Sequence, residues 1–257
     1  ITGTNSAPVA TFITNQSATE GTAAITGQLT AIDVDATSGL TYQLDGSNID
    51  GLTINLDGSW SFNPADTAYN SLDAGDQQVI TVNYSVFNGT GESSSNKFNI
   101  TVTGTNDAPV AEVIEDQSVT EDDNTISGQL NATDAEGDNL TYSLVGPDIA
   151  GFTLNTTTGE WTFDPSNTAY NSLAKHATQN INVYYAVTDD KSTSTSNFTI
   201  TITGTNSDPV ATFSENQTTT EGSAAITGQL TATDADEDNL TYSLVGPDID
   251  GLIINND

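Results

Sequence analysis

Gly104-Thr105-Asn106-Asp107-Ala108-Pro109-Val110-Ala111 is the stretch that returns most plainly along this chain. Related stretches stand at Gly3-Thr4-Asn5-Ser6-Ala7-Pro8-Val9-Ala10 and at Gly204-Thr205-Asn206-Ser207-Asp208-Pro209-Val210-Ala211, so the register is about 100 residues. A period of that length corresponds to one whole domain, whereas the period of a solenoid is much shorter. A segment of ~100 residues is also large enough to bury a hydrophobic core of its own. The sequence therefore predicts tandem domains joined by short Gly-Thr-Asn linkers.

The register sets the expected boundaries of these domains within the 257 residues. We expect a first repeat over 6–106, a second over 107–206 and an incomplete third over 207–257, preceded by residues 1–5 as the end of an earlier repeat and its linker. Ile1-Thr2-Gly3 matches Ile202-Thr203-Gly204, which ends the second repeat. We therefore expect this sequence to be a segment of a longer protein.

Period-2 alternation of apolar and polar residues predicts that the repeats are all-β. It is clearest over 80–86 and over 181–187, where Val82, Tyr84 and Val86 and their counterparts should face a core. Turn residues every 8–12 positions and seven or eight strands per repeat are typical of an antiparallel β-sandwich. Trp60 and Trp161 follow hairpin turns, and we expect both in the core. Residues 167–173 suggest one short turn of helix.

The charge is strongly one-sided, with 35 acidic residues against three lysines and a net charge of −32. Nucleic acids and anionic membranes bind basic surfaces, so neither is an expected partner. The chain has no cysteine, and no apolar run approaches the ~20 residues of a membrane span, so we expect no membrane insertion. The acidic residues either solvate the surface or bind divalent cations, and their positions separate the two interpretations.

Three sets of polar residues recur in register. They are the glutamates Glu20, Glu121 and Glu221, the acidic pairs Asp33 and Asp35, Asp134 and Glu136, and Asp234 and Asp236, and the linker residues Asn5, Asn106 and Asn206 with Asp107 or Asp208. Residues i and i+2 of an extended strand point to one side, which would bring each acidic pair together. Calcium accepts 6–8 oxygen ligands of this kind, whereas zinc and copper need His or Cys. Ordinary turn chemistry is the alternative explanation of a single acidic residue at a strand end.

The segment 234–243, Asp-Ala-Asp-Glu-Asp-Asn-Leu-Thr-Tyr-Ser, resembles a motif of cadherin repeats. Residues 51–62, 79–86 and 103–109 are similar to bacterial VCBS/cadherin-like repeats of large RTX-type surface adhesins. The resemblance extends over both full repeats and over the third as far as its end. It implies tandem Ig/cadherin-like antiparallel β-sandwich domains joined by short linkers, with Ca2+ bound between consecutive domains.

The resemblance also implies which residues hold the ions. For the first junction they are Glu20, Asn106, Asp107, Asp134, Glu136 and Asp189; for the second they are Glu121, Asn206, Asp208, Asp234 and Asp236; Asp33, Asp35 and Glu221 are further candidates in the same register. Asp189 has Asn88, a weaker ligand, as its counterpart in the first repeat.

The function that these patterns favour is that of a calcium-rigidified extender of a bacterial cell-surface adhesin, which projects a binding tip from the cell. Its partners would be neighbouring repeats of the same chain, with a surface glycan or protein bound through other regions. Two alternatives stay open: a module that itself binds a glycan or protein, and a subunit of a surface filament or S-layer in which a neighbour completes the third repeat. His176 stands alone, and no nucleophile motif or phosphate-binding loop accompanies it, so we expect no enzyme.

Overall fold

Strands and turns make up the part of the chain that the structure, a computed structural model, describes, which is residues 4–35, 39–212 and 214–255. No helix occurs within these ranges, so the expectation of an all-β fold is confirmed. Residues 1–3, which we expect to end a preceding repeat, lie outside the described residues, as do 36–38, Phe213 and the last two positions.

Each full repeat contains nine strands in the described ranges, two more than the lower estimate from turn spacing. Those of the first repeat are β1 Val9–Ala10, β2 Gln16–Thr19, β3 Ile25–Gln28, β4 Ala31–Ile32, β5 Thr41–Leu44, β6 Leu52–Ile54, β7 Ser59–Phe62, β8 Gln77–Phe87 and β9 Ser93–Thr103. Those of the second are β10 Val110–Ala111, β11 Gln117–Thr120, β12 Ile126–Gln129, β13 Ala132–Thr133, β14 Thr141–Leu144, β15 Phe152–Leu154, β16 Glu160–Phe163, β17 Thr178–Thr188 and β18 Thr193–Thr203. The third has β19 Val210–Ala211 and β20 Ala232–Thr233.

The chain divides into two compact units. Unit 1 contains the described residues up to 110 with the segments 133–140 and 188–193. Unit 2 contains 111–132, 141–187 and the described residues from 194 onward. The boundaries read from the repeat register stay a prediction, because this division follows contacts rather than sequence similarity.

Unit 1 contains a four-stranded sheet of order β2-β9-β8-β5 and a three-stranded sheet of order β3-β7-β6. The long strands β8 and β9 pair along their whole length as an antiparallel hairpin, while β2 runs parallel to β9. Val82, Tyr84 and Val86 are fully buried and Thr81 is exposed, as the alternation predicts. The rings of Trp60 on β7 and Phe98 on β9 lie 5.3 Å apart, so the core fills the space between the two sheets.

Unit 2 has the same strand order, with β11-β18-β17-β14 in one sheet and β12-β16-β15 in the other. Trp161 packs on Phe198 with ring centroids 5.1 Å apart, which is the counterpart of the Trp60–Phe98 contact. Both tryptophans are 2% exposed, so their predicted place in the core is confirmed. A glycine stands under each indole, since a Cβ at Gly27 or Gly128 would lie within 2.5 Å of the ring.

The segment over 167–173 forms successive turns instead of the expected turn of helix. The N–H of Tyr170 donates to the carbonyl of Asn167 at 3.0 Å, and that of Leu173 donates to the carbonyl of Tyr170 at 3.0 Å. The following turn holds the linker, because the N–H of Gly204 donates to Ala177 and the N–H of His176 donates to Gly204. These bonds place the Gly-Thr-Asn stretch against the end of its own repeat.

Candidate metal site

The recurring acidic pairs lie in turns just after short strands, not within strands. β4, β13 and β20 end at Ile32, Thr133 and Thr233, one residue before the first acid of each pair. The idea that a strand pleat aligns the two carboxylates is therefore wrong. A turn brings them together, because its backbone folds around the first carboxylate.

The two carboxylate oxygens of Asp134 have different surroundings. Its Oδ1 accepts hydrogen bonds from the N–H groups of Gly137 and Asp138, each at 3.1 Å, and so holds the turn. Its Oδ2 is buried and has no hydrogen-bond partner in the protein. Turn chemistry, the alternative explanation of these residues, thus accounts for one oxygen and leaves the other without a role.

The linker is fastened to the second acid of each pair. The N–H of Asp107 donates to Oε1 of Glu136 at 2.8 Å, and the N–H of Ser207 donates to Oδ2 of Asp236 at 2.6 Å. Ser207 therefore stands where Asp107 stands one repeat earlier. Asp208, the predicted ligand, comes one position later and is exposed.

The predicted glutamates Glu20 and Glu121 are buried beside these linkers, at 4% and 2% exposure. Oε2 of Glu20 accepts the N–H of Thr105 at 3.0 Å, and Oε2 of Glu121 accepts the N–H of Thr205 at 3.1 Å. The other oxygen of each glutamate is buried without a hydrogen-bond partner. Glu221, the third member of the series, is exposed.

Burial is the main cause that raises the pKa of Glu20, and the negative charges of Asp107 and Glu136 raise it further. Burial likewise raises the pKa of Glu121, with added repulsion from Asp122 and Asp236. A buried carboxylate surrounded by like charges favours its neutral form unless a cation compensates it. Both glutamates therefore stand where a positive charge is needed.

Asn106 joins the linker to the loop that follows β17. Its Nδ2 donates to Oδ2 of Asp189 and to Oγ of Ser192, each at 2.9 Å, and to the carbonyl of Asp107 at 2.7 Å. The amide of Asn106 is the largest cause that lowers the pKa of Asp189, followed by the N–H of Ser192. Because the amide nitrogen is used in this way, Oδ1 of Asn106 is turned inward, where it is buried without a partner.

One group of residues in unit 1 thus gathers the ligands that were predicted for the first junction, and we call it the Asn106 cluster. Its members are Glu20, Asn106, Asp107, Asp134, Glu136 and Asp189. Four of its side-chain oxygens are buried without hydrogen-bond partners: Glu20 Oε1, Asn106 Oδ1, Asp134 Oδ2 and Glu136 Oε2. Unpartnered buried polar atoms are rare and call for an explanation such as an ion. A set of carboxylate and amide oxygens fits Ca2+.

A second group, the Asn206 cluster, lies within unit 2. It comprises Glu121, Asn206, Asp234, Asp236 and Asp238. Carboxylate oxygens of Asp234, Asp236 and Asp238 lie within 4.8 Å of one another, and Oδ1 of Asp236 is buried without a partner. Asp238 was not among the predicted ligands, although its recurrence as Asp138 was a signal for it.

A third group in unit 1, the Asn5 cluster of Asn5, Ser6, Asp33, Asp35 and Asn88, is held by hydrogen bonds. The buried Asn88 donates from Nδ2 to Oδ2 of Asp33 at 2.9 Å and to the carbonyl of Ser6 at 3.2 Å. Its Oδ1 accepts the N–H of Glu92 at 3.0 Å, which orients the amide. Asn88 is thus a hydrogen-bond donor to the first acid of the pair, which the carboxylate of its counterpart Asp189 cannot be.

The glycine that opens the linker, Gly104 or Gly204, has no room for a side chain. A Cβ at Gly104 would lie 2.4 Å from the carbonyl oxygens of Leu72 and Asp73, and one at Gly204 would lie 2.4 Å from that of Leu173. No side chain fits there, and Asn106 is the first residue after Gly104 in the linker whose side chain was predicted as a ligand.

Residues 106–204 match the family described as "bacterial cadherin-like domain". Cadherin-like domains in general are extracellular modules that bind calcium and are not enzymes. No curated protein matches the chain. The described part of the chain contains no helix with the length and hydrophobicity that a membrane span requires.

Solved cadherin structures are also similar to the chain. Mouse cadherin-23 EC22-24 is 18% identical over 95% of this chain and 83% of its own, with a TM-score of 0.48. Human CDH23 EC21-23 is 18% identical over 91% and 82%, with a TM-score of 0.46. The extracellular domain of protocadherin gammaB4 is 15% identical over 96% and 43%, with a TM-score of 0.46.

The family match spans the whole set of strands from β10 to β18. The strand order of those residues, two facing sheets with a tryptophan between them, is that of a β-sandwich. Residues 106–204 therefore form a cadherin-like repeat.

Proposed function

We propose that the chain is a set of extender repeats from a large bacterial surface adhesin, in which Ca2+ stiffens the linkers between successive repeats. The single observation that supports this most is the set of buried, unpartnered oxygens around Asn106. Leaving such groups without a partner costs free energy that an ion would recover. The same residue types recur around Asn206, as a repeated stiffening device requires.

Glu20, Asn106, Asp134 and Glu136 would hold the ion through the oxygens that lack hydrogen bonds. When bound, Ca2+ would supply the positive charge that these carboxylates need to lie close together. The chain contributes the rest: the turn after β13 presents Asp134, the N–H of Asp107 orients Glu136, and the N–H of Thr105 orients Glu20. Asp134 and Glu136 follow the linker in the chain, whereas Glu20 precedes Thr105 by 85 positions. The ion would therefore bind residues from before and after the linker, which would fix the linker in place.

The extender role follows from repetition and charge. Repeats that each bury a core and carry an ion at every linker make a spacer whose length grows with the number of copies. A net charge of −32 keeps neighbouring chains apart and makes the linkers dependent on cations. We place the protein outside the cell, at a bacterial surface, where calcium is available and where an adhesive tip must be held away from the envelope.

Asp134→Asn gives the sharpest test, because it keeps the oxygen that holds the turn and removes the charge that faces the cluster. We expect calcium affinity, measured by isothermal titration of the whole chain, to fall about tenfold or more at one class of site. The matched control is Asp148→Asn, which removes the charge of an exposed aspartate outside the clusters.

Small-angle scattering of the same proteins tests the stiffening itself. The distance distribution of the unaltered chain should sharpen or extend when millimolar calcium replaces EDTA, and Asp134→Asn should reduce that response. Identical profiles in EDTA and in calcium, together with no heat of binding, would rule out the calcium clamp.

A further inference from the structure

We propose that Lys191 is a tethered cation of the Asn106 cluster, one that neutralises Asp138 and thereby lowers the affinity of this cluster for calcium. This inference rests on the proposed calcium function. It concerns a lysine that belongs to no recurring set, since position 191 has Thr90 as its counterpart in the first repeat.

The geometry places the ammonium among carboxylates. Nζ of Lys191 lies 2.9 Å from Oδ2 of Asp138, in a hydrogen-bonded ion pair. The N–H of Asp138 donates to Oδ1 of Asp134, so the ion pair is one residue removed from the buried oxygens of the cluster. The main cause that raises the pKa of Lys191 is this hydrogen bond, and the charges of Asp73 and Asp189 add to it. Three carboxylates therefore act on one ammonium.

The Asn206 cluster shows what the same acid does without a lysine. Asp238 follows Asp234 by four residues, as Asp138 follows Asp134, and its N–H donates to Oδ1 of Asp234 at 3.2 Å. There the third acid, Asp238, has a carboxylate oxygen within 4.8 Å of carboxylate oxygens of Asp234 and Asp236. Among the described residues this is the only such group of three, so Asp138 is not gathered with its cluster in the same way.

A second difference accompanies the lysine. Asp73, which acts on Lys191, has Ala174 as its counterpart, since the carbonyls of 72 and 73 flank Gly104 as those of 173 and 174 flank Gly204. At position 73 the Asn106 cluster thus has an acidic neighbour that the Asn206 cluster lacks at the equivalent position, together with the ammonium that balances it. The joint presence of Asp73 and Lys191 points to a balance of charge in this cluster rather than to an incidental surface contact.

The consequence is a graded response to calcium. A fixed positive charge relieves carboxylate repulsion when calcium is scarce, and it repels a divalent ion when calcium is abundant. The linker at Asn106 would therefore stay ordered at calcium concentrations that leave the linker at Asn206 loose, and it would bind its ion less tightly.

Lys191→Gln in the whole chain tests this assignment, with Lys97→Gln as the matched control. Lys97 is an exposed residue of β9, opposite Asn83, and its replacement removes the same charge from the same unit. Both changes are made in an Asp234→Asn background, which weakens the Asn206 cluster so that the heat of titration reports mainly on the other. We expect Lys191→Gln to tighten calcium binding about tenfold, the Coulomb effect of a unit charge on a divalent ion roughly 6 Å away in water.

Thermal unfolding in EDTA gives a readout that needs no calcium. Lys191→Gln should lower the midpoint by about 2–4 °C relative to Lys97→Gln, as expected for the loss of a surface ion pair within a charged network. Equal calcium affinities and equal midpoints for the two variants would overturn the role of Lys191 while leaving the calcium function intact. If no variant and no parent binds calcium, the proposed function fails, and the midpoints in EDTA still decide whether Lys191 balances the cluster.

Discussion

At the scale of single residues, the two oxygens of one carboxylate have different surroundings. Glu20 and Asp134 each use one oxygen to accept backbone N–H groups and keep the other buried without a partner. The hydrogen-bonded oxygen fixes the position of the side chain, and under the proposed function the second oxygen would bind the cation. Such orientation before binding reduces the entropy that an ion site must lose.

The raised pKa of Glu20 predicts that, in the absence of calcium, the stability of the protein falls as the pH rises. Its pKa in the folded protein lies above the ordinary 4.5, so the folded state holds the proton more tightly than the unfolded state. Stability in EDTA should therefore fall as pH rises from about 4.5 through the raised pKa.

Glu20→Gln should remove this part of the pH dependence, because a neutral amide replaces the buried carboxylate. The measurement is thermal unfolding in EDTA between pH 4 and pH 7. The exposed Glu221→Gln is the control and should keep the parental slope. A Glu20→Gln profile parallel to that of the parent would show that Glu20 does not titrate in this window.

Asn88→Asp should make the Asn5 cluster dependent on calcium. The amide of Asn88 donates to Asp33, and a carboxylate in its place would repel that acid. We expect a loss of about 1–3 kcal/mol in the free energy of unfolding in EDTA, the cost of breaking a buried hydrogen bond. Calcium should restore most of the loss, as followed by urea unfolding with and without the ion. Stability that is unchanged in EDTA would contradict the role of the amide.

At the scale of secondary-structure elements, the long hairpin of β8 and β9 follows from local alternation alone, whereas the parallel pair of β2 and β9 does not. Strand β2 has only four residues, and its partner lies more than 80 positions away in the chain. That pairing matters for the site, because it carries the chain from Thr19 directly to Glu20 beside the linker. In the third repeat the residues over 240–244 form no strand, whereas their counterparts in the second repeat form β14.

Gly128 on β12 lies opposite Trp161 on β16, in the same sheet of unit 2. A Cβ there would lie 2.4 Å from the Trp161 ring, so Gly128→Ala forces the indole or the strand to move. We expect a loss of about 1–3 kcal/mol in the free energy of unfolding, as for other overpacked cores. Gly228→Ala, in the same register of the third repeat, meets no atom within 4 Å and should be nearly neutral. Urea unfolding of the two variants measures the difference, and equal losses would contradict the packing argument.

At the scale of the whole molecule, the net charge of −32 makes stability depend on ions in two separable ways. Sodium chloride screens the diffuse repulsion between surface carboxylates. Calcium would also bind the clusters, where it stabilises the folded state by about 2.7 kcal/mol at 100 times its dissociation constant.

Calcium should therefore raise the unfolding midpoint more than sodium chloride does at equal ionic strength, and more than magnesium, which keeps its water ligands and demands a stricter geometry. The comparison uses thermal unfolding after removal of divalent ions with EDTA. Equal effects of the three salts would indicate screening alone and would exclude specific cation sites.

Local patterns in the sequence were enough to predict the all-β class, the strands around Tyr84 and Tyr185, and the buried tryptophans. These features depend on side-chain alternation, turn residues and composition, which act over a few residues and are visible without the fold. The tertiary structure decided that turns rather than strands align the acids, that Ser207 and not Asp208 takes the place of Asp107, and that Lys191 reaches Asp138. Those outcomes depend on packing between segments tens of residues apart, and no local pattern specifies such distances.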